Sequence, residues 1–76
     1  MKATVYTFDE LMGSVEWKDG ALVFAGPQAR FMEWAANDAA CRFNVSGEGI
    51  VKAMPMYFSG ASKRVLLEHE PSNGPR

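Results

Sequence analysis

The side chains best suited to covalent chemistry are Cys41 and His69, each the only residue of its type in the chain. A thiolate–imidazole pair makes a nucleophile only when the two meet within hydrogen-bond reach in a cleft, and nothing in their spacing requires that. The ordinary expectation is a small buried thiol and a histidine on a strand, with an enzyme built on Cys41 and His69 as the reading that their meeting would support. Glu68-His69-Glu70 has the residue types of a metal triplet. On a strand, however, alternation sends His69 to the face opposite the carboxylates, so the three cannot converge. Asp9-Glu10 reads as a solvated turn or helix start with no acid–base partner in view. Gly60-Ala61-Ser62-Lys63-Arg64 is the candidate anion contact, since a glycine turn offers free amides beside Lys63 and Arg64; a solvated strand start is the expected explanation. Asn44-Val45-Ser46 matches a glycosylation acceptor, which has no consequence without secretion.

Absences narrow the field further. The chain has no G-x-S-x-G, G-x-x-x-x-G-K-[ST], H-E-x-x-H or G-x-G-x-x-G pattern. A single cysteine rules out an internal disulfide and cysteine-rich zinc sites. Eight Lys plus Arg against nine Asp plus Glu leave a formal charge of −1, so no bulk field draws in nucleic acid or anionic lipid. No cofactor, metal, nucleic-acid or membrane partner is expected. With no apolar segment of spanning or signal length, the default setting is cytoplasmic.

The elements that would position these residues follow from pattern. At 76 residues, 47% of them hydrophobic, the chain is expected to form one compact domain over 1–70 with a frayed tail over 71–76. Ala3 to Phe8 is rich in β-formers. Val15-Glu16-Trp17-Lys18 and Ala21-Leu22-Val23-Phe24 flank Asp19-Gly20, which suits a two-residue turn with both central residues at positive φ. That turn sets Trp17 opposite Leu22 and Val15 opposite Phe24, gathering the apolar side chains on one face; a slip of one residue reverses every side chain. Gly13 reads as a turn glycine and Pro27 as the first residue of a helix. From Pro27 to about Ala40, Phe31, Met32, Ala35 and Ala39 fall on one side of a helix and Arg30, Glu33 and Asn37 on the other, with Trp34 at the edge of the apolar arc. Ser46 is the expected cap of a second, short helix that Pro55 stops near Met54. Lys63 to Glu70 reads as a final strand.

The resulting fold class is α+β: a small antiparallel sheet of about four strands, in β-β-β-α-α-β order, with one main and one short helix packed on one face. Met54-Pro55-Met56-Tyr57-Phe58 is the one uncharged run that the core does not wholly explain. Adaptable and aromatic side chains of this kind are enriched at contacts, which makes Met56, Tyr57, Phe58 and Trp34 the candidate interface. The functional expectation is a non-enzymatic domain that acts through protein contact, either with a partner or as a homodimer through this surface or a sheet edge. The alternative is a small-molecule module with Trp17, Trp34 and Tyr57 lining a pocket between helix and sheet.

Overall fold

In the computed structural model, which describes residues 1–68, strands β1 (Lys2–Tyr6), β2 (Leu11–Lys18) and β3 (Ala21–Ala25) are followed by helices α1 (Ala29–Phe43), α2 (Glu48–Phe58) and α3 (Lys63–Glu68). The sheet is antiparallel in the order β1-β2-β3. The class is α+β, as the residue pattern implies.

The hairpin adopts the tight register. Trp17 pairs with Leu22 and Val15 with Phe24, and Asp19 and Gly20 have φ of 53° and 77°. Asparagine, aspartate and glycine tolerate this left-handed region best, which is why the turn closes here. One face of the sheet is covered: Val5 and Val15 are fully buried, α2 lies over β1 and β2, and α1 lies over β2 and β3. Lys2, Thr4 and Tyr6 of β1 and Ala21, Val23 and Ala25 of β3 are exposed on the other face.

Four local expectations change. First, Gly13 does not end a turn but lies inside β2, which starts at Leu11. The pairing with β1 shifts there, so that Val5 opposes Gly13 and Tyr6 opposes Leu11, leaving Met12 as the extra residue of a bulge. Glycine fits because its φ is 144° and the carbonyl of Ala25 approaches closely. Second, Pro27 stays in the preceding turn. Gln28 occupies the N-cap position of α1, its N–H donating to the Met12 carbonyl at 3.0 Å. At its other end α1 runs on to Phe43, closed by Asn44 in the left-handed conformation.

Third, α2 does not stop at Pro55, and Gly47 rather than Ser46 stands at its N-cap. An interior proline costs about 3 kcal/mol, but the turn beyond it carries Phe58 into the core with no exposed surface. Burial of a side chain that large contributes roughly 1.5–3 kcal/mol, and the packing it allows against Phe31 tips the balance.

Fourth, the segment from Lys63 is a helix rather than a fourth strand, up to Glu68. His69 and Glu70 of the expected strand, and the 71–76 tail, lie outside the described residues. The local cause is Ser62, whose hydroxyl accepts from Val65 N–H at 3.3 Å and whose carbonyl accepts from Leu66 N–H at 3.2 Å, an N-cap arrangement. No residue of α3 is buried, although Leu66 packs partly against the core. Among the described residues no helix is long and apolar enough to cross a membrane.

Candidate interface between the helices

Helix periodicity places Trp34, Asp38 and Arg42 one turn apart along one side of α1. They face Met56 and Tyr57 of α2, and Leu66 of α3 closes the end. Together with Phe43 they line a groove of about 400 Å³ to which no strand residue contributes.

The floor is polar and fixed. The Tyr57 hydroxyl donates to Asp38 Oδ2 at 2.6 Å, and Arg42 Nε donates to the same oxygen at 2.7 Å. The wall behind is aromatic: Phe31 stacks on Trp34 at 5.4 Å and meets Phe58 at 6.1 Å, while Tyr57 meets Phe58 edge-on at 5.1 Å. Phe31 and Phe58 are buried, Trp34 and Tyr57 half-buried, and Met56 is 64% exposed at the lip.

The hydrogen bond from Tyr57, and then that from Arg42, holds the Asp38 carboxyl below its usual range. Partial burial, and then the bond to Asp38, pushes the Tyr57 phenol up from 10.0 to about 12. The signs of the two linkages are opposite. The raised Tyr57 pKa contributes stability that is complete below pH 10.0 and disappears as pH rises through about 12. The lowered Asp38 pKa contributes stability present above 3.8 and lost as pH falls through its folded value. In a Tyr6→Phe chain, phenolate absorbance is therefore expected to appear with a midpoint near 12, whereas a midpoint near 10.0 would mean that Tyr57 is neither buried nor bonded to Asp38 in solution.

Of the four candidate interface residues, Trp34, Met56 and Tyr57 come together here. Phe58 does not share that surface: it lies entirely in the core and supports the groove from beneath. Trp17 is also elsewhere, against Gly47, where a Cβ would come within 3.5 Å of the indole. Trp34 and Tyr57 thus line this groove without Trp17.

Lys63 and Arg64 lie at the start of α3. Lys63 Nζ donates to Glu10 Oε2 at 2.8 Å, and Lys63 N–H donates to Asp9 Oδ1 at 3.1 Å. Thr7 Oγ1 donates to that same Asp9 oxygen at 2.7 Å, and this bond, followed by the one from Lys63, holds the Asp9 carboxyl below its usual range. Lys63 is thus engaged with the β1–β2 turn, and Arg64 beside it is exposed. Cys41 is exposed on α1 rather than buried. Its pairing with His69, and the Glu68-His69-Glu70 triplet, fall outside the described residues. Among the described residues no cluster of three or more His, Cys, Asp or Glu side chains is placed to hold a metal ion.

Sequence reasoning missed the Asp38–Arg42–Tyr57 network. Its i,i+4 acid-to-base spacing on α1 was legible; the arrival of Tyr57 needed α2 to continue past Pro55. No protein-family model, curated protein or solved structure matches this chain.

Proposed function

We propose that the chain is a protein-contact module whose binding face is the groove between α1, α2 and α3. The supporting observation is the combination of a lip of exposed Met56 beside half-buried Trp34 with a floor whose polar groups are already fixed to one another. A preset floor loses little freedom on binding, and an unbranched methionine adapts to the shape presented to it. Arg42 lines the groove, spends Nε on Asp38 and has its side chain largely in solvent. The complementary ligand is a protein segment with a large apolar side chain beside a carboxylate or carbonyl acceptor.

Selection of displayed peptides on the folded chain tests this reading. The selected peptides should bind Met56→Gln and Trp34→Ala at least roughly tenfold more weakly than the unaltered chain, the scale of losing one contact worth more than about 1 kcal/mol. Equal binding by both variants rejects the groove. Self-association through the same face is the other form of this reading. Light scattering across a concentration series separates the two, because a mass that rises with concentration and falls back in Met56→Gln identifies a second copy as the occupant.

A further inference from the structure

Among the described residues no strand pairs with the outer edge of β1, and this edge carries a second, independent surface. Trp17 N–H donates to the Met1 carbonyl at 2.8 Å and Thr7 N–H to the Glu10 carbonyl at 2.9 Å, while Ala3 opposes Val15 and Val5 opposes Gly13. The backbone groups of these odd-numbered residues therefore turn toward β2. In an antiparallel ladder the alternate residues point the other way, so Lys2, Thr4 and Tyr6 direct theirs to the open side.

Phe8 continues that outward row, and its N–H is taken: it donates to the Ala61 carbonyl at 3.1 Å. The segment between α2 and α3 thus begins to pair along this edge and then leaves it. Beside the remaining positions lies a groove of about 320 Å³, with Thr4, Tyr6 and Phe8 on one wall and Pro55, Ser59 and Gly60 on the other. Tyr6 and Phe8 are 61% and 78% exposed. Natural edges are usually blunted by charge, proline or a covering element, yet β1 carries a single charge, Lys2, and no proline.

We infer that this edge takes an extended segment of a partner protein as an added strand, bonded to the backbone of Thr4 and Tyr6 between β1 and the end of α2. Lys2 selects an acidic side chain at one end of the segment, and Tyr6 and Phe8 select an aromatic or β-branched one toward the other. A second copy of β1 fits less well. Edge-to-edge pairing would bring a second α2 onto the same face, beside the end of the first, which already walls this groove with Pro55, Ser59 and Gly60. A strand with no helix above it avoids that clash.

The probe is an acetylated, amidated peptide of alternating threonine and valine with glutamate at either end. At saturation it should slow amide hydrogen exchange at Thr4 and Tyr6 at least roughly tenfold. Methylating the backbone nitrogens of one alternate row of the probe should weaken binding by roughly tenfold or more, while methylating the other row should not. Lys2→Glu should weaken the glutamate probe and strengthen one carrying lysine instead. Unchanged exchange at Thr4 and Tyr6, equal binding by the two methylated probes, or no binding up to about 1 mM each overturns the inference. Protection at these amides without probe, rising with protein concentration, overturns it in favour of self-pairing.

Discussion

Gly13→Ala is expected to destabilise the chain by about 4 kcal/mol or more, combining strain of roughly 1–3 kcal/mol with overpacking of similar size. The φ of Gly13 is 144°, and an added Cβ would lie 2.1 Å from the Ala25 carbonyl oxygen and 2.9 Å from Met32 Cε. Methionine can swing its terminal methyl away. The carbonyl belongs to β3 and cannot move without parting the strands. On the other side Gly26 approaches so closely that a Cβ there would sit 2.5 Å from Gly13 Cα. The bulge of β2 and the exit from β3 thus interlock at paired glycines. A domain of this size has in total roughly 4–11 kcal/mol of stability, so the substitution removes much or all of it. Gly20→Ala is the control: φ is 77°, but nothing lies within 4 Å of the added carbon, and the loss should be only about 1 kcal/mol. Urea unfolding followed by circular dichroism measures both. Equal losses at the two positions would mean that β2 and β3 do not approach at Gly13 as described.

Phe58→Ala should cost about 3–5 kcal/mol, the range for emptying a large buried aromatic site. Phe58 is the largest of the fully buried side chains, and it joins Phe31 of α1 to Tyr57 of its own helix. It is also the residue that carries α2 past Pro55, so its loss should loosen the last helical turn and with it the Tyr57 hydroxyl on Asp38. Met56→Ala, two residues earlier on the exposed side, should change stability by no more than about 0.5 kcal/mol. Comparable losses in the two variants, read from the same unfolding curves, would contradict the orientation of α2.

These residues also show where the amino-acid sequence is legible and where it is not. The hairpin could be read because Asp19-Gly20 admits few turns and only one register gathers Val15, Trp17, Leu22 and Phe24 on one face. The buried stripe of α1 was equally plain in Phe31, Met32, Ala35 and Ala39. Gly13 and Pro55 misled for a shared reason: each breaks a local rule that tertiary contact overrides, the first through close approach of β3 and the second through burial of Phe58. The expected last strand failed where two patterns overlap. Over six residues, alternation and helical spacing are hard to tell apart, and the deciding signal was Ser62 as a cap. The candidate interface was partly visible: Met56, Tyr57 and Trp34 stood out by type. Asp38, Arg42 and Leu66 complete it only once three helices have been placed, and Phe58 could be assigned to the interior only from the phase of α2.

The most direct test of the proposed contact face is the chemical-shift map of the isotope-labelled chain titrated with its strongest selected peptide. The expected result is perturbation centred on the Trp34 indole N–H, the Met56 methyl and the Tyr57 ring, with the hairpin turn at Asp19-Gly20 silent. Perturbation confined to the β1 edge or the hairpin, with those three groups unmoved, would contradict a binding role for the groove.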